Sequence, residues 1–467
     1  MKRMVILKRI LMGFGYGVLG LAVVMMTFAL VAYGNDYTYD WQTGQIVQRG
    51  HVILASLPSR IKVKADGKLL GDKTPYQAVW DVGDHTFELA RDGYRTWKKT
   101  VSVVAGQVTL INYAILVPNE IRKTIQDTRE QIGAPVVSSD RRHLAYIVPG
   151  TSPAVYIMDV GSGQPIKQYQ ARAASGEVSQ EVLESVVWSE DASHLLVRSK
   201  IGPTTTYRIL AAGGGEIINL TDIFKFDFSG IAFSGSNWRQ LYWISPEGLR
   251  RVDVDSRSVS AVLADNVSQF WIAGERTLFV RKVLAVPSLW SIDRSGRQQQ
   301  LIAALTASDS YSVTYANFDG SDELAVVPRT ARVGTLYRNI FSDNPTTRVI
   351  ARDVDAASFS PDGHLVVFYS PLKQVAYDIK RNDLTGEDAS YEWRDQPDSL
   401  ASLTWFDNYH LLSVRGGKLY LSEYDGFNVV ELAAMSGLLA SATNDYKSVI
   451  HTSPATGGVA ITVSEIR

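Results

Sequence analysis

The sequence predicts a mainly β protein in three parts: an N-terminal transmembrane helix, a small β-sandwich, and a β-propeller of about eight blades, with seven as the alternative. Three observations carry this reading. An uncharged run of 26 residues extends from Ile10 to Asn35. Short segments of alternating polarity, divided by glycine- and aspartate-containing turns, fill residues 47–117. Beyond residue 134, one phrase of apolar strand, polar turn and apolar strand recurs eight times.

The N-terminal run comes first. Residues 1–9 carry Lys2, Arg3, Lys8 and Arg9. At 1.5 Å per residue, the run that follows (10–35) spans roughly 39 Å as a helix, more than the ~30 Å hydrocarbon core of a bilayer. Acidic Asp36 and Asp40 stand beyond it. The positive-inside rule keeps residues 1–9 in the cytoplasm and places everything after about residue 35 outside. The alternative is a cleaved signal peptide, with Ala32-Tyr33-Gly34 as a small-x-small site, but an h-region is usually about 7–15 residues. Gly13, Gly15, Gly17 and Gly20 form a small-residue stripe of the kind that can pack membrane helices together.

In residues 47–117, "RIKVKA", "HTFELA" and "KTVSVV" alternate with period two, as half-buried strands do. "ADGK" reads as a hairpin turn, because its glycine accepts positive φ. About six strands in a sandwich are expected. Ser56-x-Pro58, Val63-x-x-Asp66-Gly67-Lys68, Gly71-x-x-Thr74-Pro75, Gly83-x-His85, Gly93-Tyr94 with Trp97 behind it, and Gly106 follow in order. This spaced set resembles the PEGA domain over nearly the whole stretch. One departure stands out: Arg60 and Ile61 occupy the place where members carry Gly-Ala. The resemblance implies an exported bacterial or archaeal surface protein and a structural or adhesive module. Pro75, Gly83 and Gly93-Tyr94 read as residues that keep the fold.

The next stretch, "NEIRKTIQDTREQIG" (119–133), is charged and lacks strand alternation. Asn119 after Pro118 suits an N-cap, Gly133 a C-terminal stop, and Ile121, Ile125 and Ile132 share one face. The expectation is a linker helix between two β domains.

The propeller (134–467) rests on repetition. The eight hairpins begin at Val136, Val186, Ile231, Phe270, Tyr315, Ala357, Leu403 and Ser441, spaced by 38–50 residues. A period of that size with four short strands per unit is the mark of a propeller. Third strands such as "AVYIMDV" and "GKLYLSEY", and fourth strands such as "EIINL" and "NVVELA", complete the units. The last unit stops after "GVAITVSEI", so its fourth strand is either missing or supplied from elsewhere. In "SPDG" (360–363), Pro361 presets φ, Asp362 can bond its own backbone and Gly363 takes the left-handed region. Residues 358–364 are similar to the repeats of TolB-like and WD40-like propellers. That likeness concerns architecture, since function varies widely over the fold.

Composition narrows the chemistry. The 47 basic residues nearly cancel the 48 acidic ones, which leaves no electrostatic footprint for nucleic acid. There is no cysteine, hence no disulfide, thiolate metal site or cysteine nucleophile. His143, His194, His364 and His410 recur just before the second strand of their units. Equivalent positions on separate blades lie too far apart to share an ion at ~2 Å bonds, so they read as exposed turn residues. "AAGGGEI" (211–217) lacks the Lys-Ser/Thr of a phosphate loop and precedes a strand rather than a helix. Neither a Gly-x-Ser-x-Gly elbow nor His-Glu-x-x-His occurs. Trp188, Trp243 and Trp405 fall on strand positions and read as packing. Other aromatics could build a platform for sugar or peptide, whose members the sequence does not single out.

The expected function is therefore a single-pass, membrane-anchored, extracytoplasmic binding or scaffold protein of the bacterial surface. Its propeller would hold a protein or a cell-wall glycan, without catalytic residues, cofactor or metal. The alternative is an exported hydrolase or lyase with its site in the propeller channel.

Overall fold

A computed structural model describes residues 2–467, apart from 35, 42–43, 176–178, 236, 284–285, 387 and 395–396. The chain divides into two compact units, residues 1–120 with Arg467, and residues 121–466.

The first unit opens with a helix over Lys2–Gly34. Its stretch Met12–Gly34 is long and apolar enough to cross a membrane, and none of it is buried. A short hairpin of strands Tyr37–Asp40 and Gln45–Gln48 follows. Then come two facing sheets, one of three strands and one of four. In the three-stranded sheet the central strand, Gly50–Leu57, pairs antiparallel with Tyr76–Trp80 and parallel with Val108–Ile115. Alternation decides the core. Val52, Leu54, Val63, Phe87, Leu89 and Ile111 point inward around a fully buried Trp97. "ADGK" closes the Lys62–Ala65 and Lys68–Lys73 hairpin, with φ positive at both Asp66 and Gly67. Two consecutive positive φ values match the right-handed twist of the flanking strands.

In the second unit, eight four-stranded sheets form the propeller among the described residues. Blades 1 to 7 run over 133–170, 181–219, 229–259, 267–304, 311–352, 356–393 and 403–434. Within each, sequential antiparallel strands lie side by side. First strands touch those of the next blade between blades 1 and 2, 4 and 5, 5 and 6, and 7 and 8, so they make the inner ring. Hydrophobic cores lie between blades. In the second strand of blade 1, Leu144 and Tyr146 pack toward blade 8, whereas Ala145 and Ile147 pack toward blade 2. A strand buried on both faces explains why such segments read as unbroken apolar runs rather than alternating ones.

Two expectations need correction here. The linker helix at 119–133 does not form. Lys123–Arg129 is instead a strand, paired antiparallel with Gly458–Glu465. The expected N-cap, Asn119, donates its backbone N–H to the carbonyl of Gly93. The physical reason is non-local. The strand 458–465 would otherwise leave a row of backbone donors and acceptors unpaired, and the segment that carries Thr124, Ile125 and Thr128 satisfies them. The same strand removes the seven-blade alternative. Blade 8 takes three strands from 440–465 and its outermost one from 123–129.

Candidate binding cleft and the repeat turns

Three of the four histidine-bearing turns, and the corresponding turn of blade 8, are built from one local motif. In blades 1, 2, 6 and 8 a Ser or Thr side chain bonds the Asp two residues on: Ser138–Asp140, Ser189–Asp191, Ser360–Asp362 and Thr443–Asp445, at 2.5 to 2.9 Å. The next residue, Arg141, Ala192, Gly363 or Tyr446, has φ between 55° and 79°. Its N–H returns to the first residue's carbonyl. This is a short turn in which side chains satisfy backbone groups.

The four histidines sit on separate blades, and each meets its own neighbours. His194 stacks on Trp238 of the next blade with ring centroids 3.7 Å apart. His143 lies 6.0 Å from Trp188, and His364 lies 4.8 Å from Tyr409. Nδ1 of His364 and of His410 faces Asp362 and Asp407 at 2.6 and 2.8 Å. Both rings are buried, which corrects the reading of these positions as exposed; the ring of His364 meets Phe318 of blade 5 and Tyr409 of blade 7. Next to His364, burial by itself would raise the carboxyl pKa of Asp362, but the imidazole and the Ser360 hydroxyl hold it below the usual range. Among the described residues no group of three or more His, Asp or Glu is placed to hold a metal.

The tryptophans at the end of first strands are buried as expected. Trp188 donates its Nε1–H to the carbonyl of Val136 and Trp405 to that of Ser358, each in the preceding blade. The glycines of 211–217 make the turn between third and fourth strands of blade 2.

A cleft of about 390 Å³ opens on the inner ring at blades 3 to 5. That lies in the range of about 300–1,000 Å³ typical of ligand sites. It is lined by Phe270, Trp271 and Ile272 of blade 4 and Val313, Thr314 and Tyr315 of blade 5, with Ala232 and Leu278. Adjacent residues of a strand face opposite sides. Accordingly Phe270 packs with the core between blades 3 and 4, and Trp271 with that between blades 4 and 5. Tyr315 donates its hydroxyl to Asp322 Oδ1 at 2.5 Å, and burial with that carboxylate raises its pKa. The lining is apolar and aromatic, carrying the hydroxyls of Thr314 and Tyr315 but no carboxylate, imidazole or amine. Among the described residues each first strand also pairs with one neighbouring strand only, leaving its other edge toward the ring. Sequence reading did not single out these aromatics. The signal was the Phe270-Trp271 pair on a first strand, since two neighbouring rings cannot both enter one interface.

Comparison with known proteins fits this architecture. Residues 49–117 match the family model described as the PEGA domain. A segment that matches the PEGA domain is thus followed by the eight propeller sheets found among the described residues. The C-terminal WD40 domain of Sif2 is similar in structure with TM-score 0.49 and 10% identity, over 74% of this chain and 98% of that one. The Dos1 propeller follows with TM-score 0.48 and 11% identity, over 73% and 94%. An oligogalacturonate lyase from Vibrio parahaemolyticus aligns with TM-score 0.43 and 12% identity, over 75% and 94%. No curated protein matches the sequence.

Proposed function

We propose that this is a membrane-anchored, extracytoplasmic binding or scaffold protein of the bacterial cell envelope, whose propeller holds a protein or glycan partner and performs no catalysis. The observation that carries the reading is the cleft at Phe270, Trp271 and Tyr315. Aromatic faces beside a free strand edge offer stacking and backbone hydrogen bonds, which suit a sugar or an extended peptide. Of the side chains lining the cleft only Tyr315 is titratable; its hydroxyl is engaged by Asp322, and burial with that carboxylate holds its proton on. The exposed apolar helix with basic residues before it supports the anchor and its orientation.

The test places a photo-crosslinking residue at Val313 of the full chain in intact cells. A discrete adduct that Trp271→Ala abolishes is expected. The reading is overturned if the adduct persists unchanged in Trp271→Ala, or if the purified chain turns over a glycan that binds in the cleft.

A further inference from the structure

The hairpin between the apolar helix and the PEGA domain is inside out. Tyr39 and Ile46 are direct partners across its two strands, and Tyr37 lies two residues from Tyr39 on the same face. These side chains are 49%, 67% and 41% exposed. Trp41, whose ring meets Tyr39 edge-on at 4.7 Å, is 88% exposed. The opposite face, with Thr38 and Val47, is the half-buried one. A hairpin bathed in water would turn its rings inward and its threonine outward.

The position along the chain says what covers the aromatic face. The apolar stretch Met12–Gly34 has 23 residues, and as a helix it spans about 35 Å against a hydrocarbon core of ~30 Å. Its last turn, with exposed Tyr33, therefore reaches the far headgroup layer. The hairpin starts three residues after the helix ends. Its base is held in place. The Asp36 N–H bonds the carbonyl of Tyr33, the Asp36 carbonyl accepts from Arg49 N–H, and its carboxylate meets His51 Nδ1 at 3.1 Å.

We infer that this hairpin is a lipid-contacting element that lies in the headgroup interface of the outer leaflet, with Tyr37, Tyr39, Trp41 and Ile46 toward the bilayer. Tyr and Trp rings are amphipathic and settle at that depth. The element sets the depth of the helix, and its fixed base ties that depth to the first PEGA strand. The inference rests on the membrane-anchor reading above.

The absence of cysteine makes any introduced one a unique label site. Full-length Trp41→Cys, Val23→Cys and Leu372→Cys are each labelled with an environment-sensitive fluorophore. They are then reconstituted into vesicles of phosphatidylethanolamine and phosphatidylglycerol that carry nitroxide lipids, either shallow or deep. Trp41→Cys should be quenched about twofold more by shallow than by deep nitroxide, as interfacial depth requires. Val23→Cys should show the reverse preference, and Leu372→Cys, exposed on the propeller, no quenching. If Val23→Cys is quenched while Trp41→Cys behaves like Leu372→Cys, the hairpin is covered by protein or water and the inference falls, although the anchor stands. If Val23→Cys is not quenched, the anchor reading fails and the inference fails with it.

Discussion

Tyr146 of blade 1 donates its hydroxyl to Asp127 of the closing strand at 2.5 Å. Arg129 Nε reaches the same carboxylate oxygen at 2.8 Å, and its guanidinium lies over the ring of Tyr156 at 4.6 Å. Tyr146 is fully buried, and burial with the Asp127 hydrogen bond pushes its pKa well up, so it remains a donor at any physiological pH. The pair joins blade 8 to blade 1 where the ring closes. Tyr146→Phe should cost about 1–3 kcal/mol, because the half-buried carboxylate loses a donor. Chemical denaturation of the full chain in detergent would measure it. An unchanged midpoint would mean that the seam does not depend on this bond.

The turn at Ser360–Gly363 makes a graded prediction. Gly363 has φ 79°, and a Cβ there would stand 3.1 Å from Ala316 Cβ and 3.3 Å from Asn317 O of blade 5. Gly363→Val should destabilise by about 1–3 kcal/mol, with Gly363→Asn milder, since Asn tolerates the left-handed region. His364→Ala should cost a similar ~1–3 kcal/mol, because it opens a cavity and takes a partner from Asp362. Thermal melts rank the three. If His364→Ala melts like the parent, its burial contributes nothing.

His451 links stability to pH. It is fully buried in blade 8, with Nε2 2.9 Å from Ser464 Oγ. Burial lowers its pKa from the ordinary 6.5 to about 4. Below pH 6.5 the unfolded chain therefore takes up a proton that the folded chain refuses until about pH 4. Stability should be full above pH 6.5 and decline as pH falls toward 4. His451→Gln should flatten that limb in melting temperature against pH; an unaltered slope would assign the acid sensitivity to other groups.

Arg60 stands where PEGA members carry glycine, and it takes φ 64°, the left-handed conformation glycine adopts freely. The next residue, Ile61, is buried in the sandwich core. Arg60→Gly should stabilise the domain by up to about 1 kcal/mol, as strain relief competes with the extra freedom of the unfolded chain. A melt in which Arg60→Gly is destabilised by more than that amount would show that the Arg60 side chain supports the turn.

The features legible in the amino-acid order are local and repetitive. The uncharged run specified a membrane-length helix, the period-two segments and Asp66-Gly67 turn specified the sandwich, and eight recurring hairpins specified the propeller. Each of these is encoded within a few residues, and repetition averages out the degenerate copies. The fate of 123–129, the burial of His364 and His410, and the choice of aromatics that border the inner ring emerge from the folded chain alone. The polar, helix-like spelling of 123–129 carries no trace of the open strand edge at 458–465, at the other end of the propeller sequence, that it must pair. A turn histidine cannot reveal from its own hairpin that the neighbouring blade closes over it. These features depend on contacts between blades, and such contacts come into being only when the ring is shut.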